Sequence, residues 1–299
     1  MANPLAGPMI HSDDLKLKRA IQLLCSTGVR RSLTMERVKT WLKQFDAGPE
    51  QTLALLILRH LIYRTTDQIQ STLTQALRKM ALHFALDDTD RENLNWRDIL
   101  AGKAKLSFYF GPPAHDFTKP GKSGELIIRL LKQIFSVTSN QIQYPGMVTE
   151  LPPDERYLMI DDGTFTGDQF TKFVGTFAGM MKTPHQTGIV VSIAHEAALK
   201  NLRRNYPGIP VFYGEKMTYQ DGLVALSQRW IDSGRWPYEE SSPLDVYQSV
   251  IEKKGRFKVN QPLGFGGLGL IVAYEHGVPD DSLQLLWDKS DTWSPLFDR

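Results

Sequence analysis

Tyr157-Leu-Met-Ile-Asp-Asp-Gly-Thr-Phe-Thr-Gly-Asp-Gln-Phe170 decides how this chain is read. Four apolar residues, Tyr157 to Ile160, run into the adjacent acids Asp161 and Asp162. A short stretch of Gly163, Thr164, Phe165, Thr166 and Gly167 follows, and a helix-like segment opens near Asp168 and Gln169. The order is strand, phosphate-sized loop, helix start. Backbone N–H groups in such a loop, backed by the positive end of a helix, hold a phosphate without any Lys or Arg. Two carboxylates beside an anion site add acceptors for sugar hydroxyls, or charge near a metal.

The pattern around this stretch is that of an α/β protein. Leu106–Phe110, Tyr157–Ile160, Gly188–Ala194 and Ile209–Tyr213 read as strands. Between them lie helix patterns over 123–135, 169–181 and 196–205. Strands alternating with helices predict a parallel sheet with ligands at the strand C-termini. Ahead of it, periodic apolar residues predict helices over 12–24, 33–45, 50–63 and 66–84, an all-helical N-terminal region. A change of composition near Lys105 places a division at about residue 100: a helical region over 1–100 and an α/β domain over 101–299. The last residues carry Trp287, Trp293 and Phe297, an aromatic-rich extension that should pack rather than dangle.

Composition sets limits. The 299 residues are 41% hydrophobic and 23% charged with a net charge of +2, normal for a soluble globular chain. That balance gives no global electrostatic case for nucleic acid. A single cysteine, Cys25, excludes an intrachain disulfide framework. No apolar run reaches the length of a membrane span and the N-terminus lacks a signal-peptide pattern, so a cytoplasmic protein is expected.

Other motifs compete with this reading. Lys119-Pro-Gly-Lys-Ser-Gly124 matches the end of a P-loop, but Asp116 stands where the first Gly is required. A P-loop ATPase would set Lys122 on phosphates and Asp161 or Asp162 near Mg²⁺, and it stays open as an alternative. Gly264-Phe-Gly-Gly-Leu-Gly269 satisfies G-x-G-x-x-G, yet a strand-like segment follows where a helix is needed. His195 directly follows a predicted central strand and is a candidate acid–base group. Arg30 and Arg31, with Lys16, Lys18, Arg19, Arg37, Lys39 and Lys43, make the N-terminal region locally basic. Such a patch touches phosphates or simply faces solvent.

The acid pair and Thr166-Gly167 resemble the 5-phosphoribosyl-1-pyrophosphate (PRPP) loop of type I phosphoribosyltransferases. The resemblance implies that Asp161 and Asp162 are the catalytic acids along the ribose hydroxyls. It implies that residues 163–169 wrap the 5′-phosphate, and that Gly121, Lys122, Ser123 and Gly124 hold pyrophosphate with Mg²⁺. Phe165 and Gln169 depart from the pattern, standing where a small hydroxyl residue and a closing Thr are usual. The chain further resembles a phosphoribosyltransferase-like family of bacterial conflict systems, some of them associated with retrons. That likeness rests on Trp41-Leu-Lys-Gln-Phe-Asp46, on Thr166-Gly-Asp-Gln169 and on His276-Gly-Val-Pro-Asp-Asp-Ser-Leu-Gln-Leu-Leu-Trp287 with Trp293-Ser-Pro-Leu-Phe-Asp-Arg299. It implies an anti-phage effector or toxin, with PRPP or a related nucleotide as ligand. Its implied partners are a reverse transcriptase with its DNA or RNA, or an ATPase. A catalytically inactive sensor or scaffold is the alternative that the departures favour.

Overall fold

The computed structural model describes residues 12–85, 95–101, 106–113, 123–148, 150–177, 182–255 and 260–298. In chain order its elements begin with α1 (Ser12–Ser26), α2 (Met35–Leu42), α3 (Pro49–His60), β1 (Ile62–Arg64), α4 (Thr66–Phe84) and α5 (Trp96–Leu100). Then come β2 (Ser107–Gly111), α6 (Ser123–Phe135), β3 (Glu155–Thr164), α7 (Asp168–Thr176), β4 (Thr187–His195), α8 (Glu196–Asn205) and β5 (Val211–Met217). The chain continues through α9 (Leu223–Asp232), α10 (Pro243–Lys254) and β6 (Val272–Tyr274). Among the described residues no helix is long and apolar enough to cross a membrane.

The chain divides into two compact units, residues 67–218 and residues 1–66 with 219–299. The boundary expected near residue 100 coincides with neither edge. Residues that follow one another in sequence are sorted by what they pack against. In the first unit the Thr72 hydroxyl of α4 meets the Ser192 hydroxyl of β4. Gly214 on β5 lies so close to the Thr72 backbone that no Cβ fits between them.

That unit is built on a parallel sheet in the order β2-β3-β4-β5. Ile142 adds a parallel bridge to Phe110 on the outer side of β2. The chain therefore leaves β2, passes through α6, touches the outer edge of β2 and crosses to β3 on its other side. The direction of winding reverses between β2 and β3, and at such a reversal the C-terminal strand ends open a crevice. Alternate residues of the buried strands feed two layers. Tyr157, Met159, Ile189 and Val191 share a core with Phe170, Phe173 and Val174 of α7 and Leu202 of α8. On the opposite face, Phe84 of α4 meets Phe108 and Phe212.

The second unit joins the two ends of the sequence. β1 and β6 pair in parallel, Ile62 opposite Val272 and Arg64 opposite Tyr274. A third helix expected to run through Tyr63 stops at His60 instead, and the N-terminal region is not all helical. Trp293 is buried against Trp41 and Phe45, with ring centroids 6.0 and 5.2 Å away. The aromatic tail thus packs as its composition suggested. Gly264, Gly266, Gly267 and Gly269 all hold positive φ and precede β6 rather than a helix, so the G-x-G-x-x-G stretch lacks the geometry of a dinucleotide loop.

The centre of the N-terminal basic stretch is structural. Arg30 is 4% exposed and donates to the carbonyls of Leu58, Arg59 and Leu61, which end α3 and carry the negative end of its dipole. Arg31 and Ser32 donate to the Glu275 carboxylate, as do the N–H and hydroxyl of Thr66. Burial pushes Glu275 up, but these donors outweigh it and hold the carboxyl down to about 2. Arg37 pairs with Asp298.

Candidate functional site

β3 does not stop at Ile160 but runs on through the acid pair. Asp161 lies opposite Val191, Gly163 opposite Ile193 and Thr164 opposite Ala194. The loop proper is then only Phe165, Thr166 and Gly167. Gly167 has φ of 81° and starts α7, the helix whose first residue is Asp168. Left-handed backbone of this kind suits glycine. Space demands it too, because a Cβ at Gly167 would sit 3.2 Å from the Ala198 Cα. The turn presents the N–H groups of the first turn of α7 at the end of a strand beside the winding reversal, which is anion-binding geometry.

The turn is held from the side by a residue that no sequence motif marks. Asn201 of α8 donates through Nδ2 to the Thr166 carbonyl (2.9 Å) and to Asp168 Oδ1 (3.1 Å). A lone Asn on an amphipathic helix gives no signal of this in the sequence.

Asp161 is 2% exposed and Asp162 8%. Asp161 Oδ1 accepts from the Ser123 hydroxyl (2.7 Å) and from the Asp162 N–H (2.9 Å). Gln169 Nε2 lies 3.5 Å from Asp161 Oδ2 and 3.4 Å from the Pro113 carbonyl. The start of α6, the acid pair and the first turn of α7 therefore meet at one carboxyl group, and Gln169 links them to Pro113 just beyond β2. Burial first, and then the charge of Asp162, hold that carboxyl well above the usual carboxylate range, and the donated hydrogen bonds do not reverse this.

Raising a carboxyl in the folded state has a definite sign. Its protonated form stabilises the fold fully below the unfolded value of about 3.9, and that contribution is lost as pH rises through the folded value. Asp161→Asn, which keeps an oxygen for Ser123 and for the Asp162 N–H, is expected to melt above the wild type at neutral pH. The two melting curves should converge as the pH falls toward about 4. Thermal melts across that range check it; a wild type more stable than the variant at neutral pH would mean an ionised, well-compensated carboxylate.

A family model matches residues 38–299 of the chain, the PRTase-CE model. The chain belongs to the PRTase-CE family. Solved structures similar to this PRTase-CE protein include an orotate phosphoribosyltransferase from Aeropyrum pernix, at 18% identity over 50% of this chain and 74% of that one, with a TM-score of 0.27. Another is the AQ2163 protein from Aquifex aeolicus, at 15% identity over 61% and 83% of the two chains, with a TM-score of 0.28. Comparison with curated proteins returns no match. The family match and the parallel α/β core agree with the phosphoribosyltransferase-like fold expected from the acid pair.

The remaining expected residues of this PRTase-CE protein divide three ways. Ser123 and Gly124 form the start of α6, with Gly124 tight against Pro112. Gly121 and Lys122 lie outside the described residues, as does Asp116. His195 is fully buried, and its Nδ1 accepts the Ala197 N–H at 3.1 Å, capping α8. That bond occupies the lone pair an acid–base role would use, so the structure gives His195 a capping task. Phe165, which stands where a small hydroxyl residue is usual, has a buried side chain.

Proposed function

We propose that this PRTase-CE protein binds PRPP, or a related ribose-phosphate nucleotide, at the crevice between β2 and β3. The observation that carries this is the meeting of the acid pair with the left-handed Gly167 turn beside Ser123 and Pro113, at the C-terminal strand ends. The 5′-phosphate takes the N–H groups of the Thr166–Gln169 turn. Asp162 serves the ribose hydroxyls. Pyrophosphate takes the first turn of α6 with Lys122. Phosphoribosyl transfer or hydrolysis then breaks the bond from the anomeric carbon to pyrophosphate, which leaves with the electron pair, and forms one to the acceptor or to water. The protein's share is positioning and charge stabilisation.

Among the described residues no cluster of three or more His, Cys, Asp or Glu forms a metal cage. The donor set suits Mg²⁺ carried by the ligand's phosphates, the usual manner for that ion. When bound it would neutralise the departing pyrophosphate. We place this activity in an effector of bacterial anti-phage defence, including retron systems with a reverse transcriptase and its nucleic acid or an ATPase as partners. The likeness of the Trp41–Asp46 and Trp287–Arg299 segments to conflict-system proteins supports that setting.

Calorimetric titration with PRPP and Mg²⁺ tests the reading. We expect saturable binding in the wild type, weakened about ten- to a hundredfold by Asp162→Ala, the loss of a charge-assisted hydrogen bond. Absence of PRPP binding to the wild type would sink it. A second reading, a sensor without turnover, is favoured by the burial of Asp161 under Ser123; it predicts bound PRPP with no pyrophosphate released. The same contact would suit a P-loop ATPase, which instead predicts ATP hydrolysis lost in Lys122→Ala.

A further inference from the structure

Two carboxylates side by side at a sugar-phosphate site invite the same role for both, but their surroundings differ. Asp161 sits at the junction of four backbone segments. It receives the Ser123 hydroxyl from the start of α6 and the N–H of Asp162 from β3. Gln169 from α7 reaches both it and the Pro113 carbonyl at the end of β2. Its exposure is 2%, so little of it is left for solvent or a sugar hydroxyl. Its Oδ1 already accepts two bonds, one from a hydroxyl and one from a backbone N–H.

Such a group has mechanical consequences. Ser123 opens the helix that would face pyrophosphate, and Gln169 lies in the first turn of the helix that would face the 5′-phosphate. An anion that orders either helix start also orders the Asp161 carboxyl. Through it a shift of one helix start would be passed to the other before its own anion arrives. Prior ordering by one ligand lowers the cost of binding the next.

We propose that Asp161 is a positioning residue rather than a ligand of the sugar, a tie between the starts of α6 and α7 that makes pyrophosphate and ribose 5-phosphate bind cooperatively. The inference rests on the ribose-phosphate reading above and deepens it. It divides the acid pair: Asp162 meets the ligand, and Asp161 sets the frame.

The test uses the full chain and two probes, inorganic pyrophosphate with Mg²⁺ and ribose 5-phosphate. Each is titrated alone and then with the other saturating. In the wild type each probe should tighten the other by about fivefold or more, in the usual range for coupled sites. Asp161→Ala should bring that ratio to one. Asp161→Asn should also lower it toward one, because its oxygen still accepts from Ser123 and from the Asp162 N–H but its NH2 now faces Gln169 Nε2, which cuts the tie on the α7 side. Ser123→Ala removes the tie from the other side and should also bring the ratio to one, which covers the case of an Asp161→Ala chain that does not fold.

The ratio separates this role from direct contact. A residue that merely touches one probe changes that probe's affinity equally with and without the other, and leaves the ratio alone. A wild-type ratio of one, or a ratio unchanged in Asp161→Ala, Asp161→Asn or Ser123→Ala, would overturn the tie while leaving the site itself standing. A wild type that binds neither probe would overturn both the tie and the ribose-phosphate reading.

Discussion

Gly167→Val is expected to abolish measurable ribose 5-phosphate binding, a loss of about a hundredfold or more. Two independent constraints meet at this residue. Its φ of 81° lies in left-handed backbone, where a β-branched side chain is a strained outlier costing on the order of 1–3 kcal/mol. A Cβ would also press on the Ala198 backbone of α8 at 3.2 to 3.3 Å. Neither neighbour yields easily, because Asn201 from the same helix is bonded to Thr166 and Asp168. The turn must therefore move, and with it the N–H groups at the start of α7. Titration with ribose 5-phosphate reads the effect, beside a thermal melt showing that the chain remains folded. Binding within threefold of the wild type would place the phosphate elsewhere.

Trp293→Ala should destabilise the unit formed by residues 1–66 and 219–299 by about 3–5 kcal/mol, the range for removing a fully buried tryptophan. Trp293 is 1% exposed and meets Trp41 and Phe45 edge to face. Its indole N–H donates to the buried Leu285 carbonyl at 3.0 Å. Truncation opens a large cavity, strips two aromatic contacts and leaves that carbonyl without its donor. Chemical denaturation should show a lower midpoint for the transition of this unit. Trp293→Phe, which retains most of the volume but not the N–H, should lose markedly less. Equal losses in the two variants would assign the effect to the hydrogen bond rather than to packing.

Local signals in the sequence reached the structure almost unchanged where one short stretch carries its own instructions. α4, α6 and α8 begin and end where their apolar periodicity and end residues place them. Ser242 and Asp245 form a reciprocal capping box at the start of α10, with Pro243 at its first position, end chemistry that residues adjacent in sequence supply. The strand-turn-helix around the acid pair was legible for the same reason: apolar run, acids, glycine and helix start are neighbours in sequence. Misreadings arose where distant residues decide. β1 is three residues long and has meaning only through β6, more than two hundred positions away. Arg30 reads as surface charge until the carbonyls ending α3 are seen around it. The side-chain partners of the site were equally hidden, since Asn201 and Pro113 belong to no motif and reach the turn only through packing.

From its residues alone this protein declared a parallel α/β core, a glycine-started helix after two acids and an aromatic tail that had to be buried. Each of these follows from periodicity, backbone freedom or apolar area, properties that adjacent residues possess without knowing the rest of the chain. Tertiary structure alone decided that residues 219–299 fold with residues 1–66, that His195 caps a helix, and that the twin aspartates occupy unlike settings. Those outcomes depend on which donors and which apolar surfaces arrive from elsewhere, and burial and hydrogen bonding are settled only when distant segments meet.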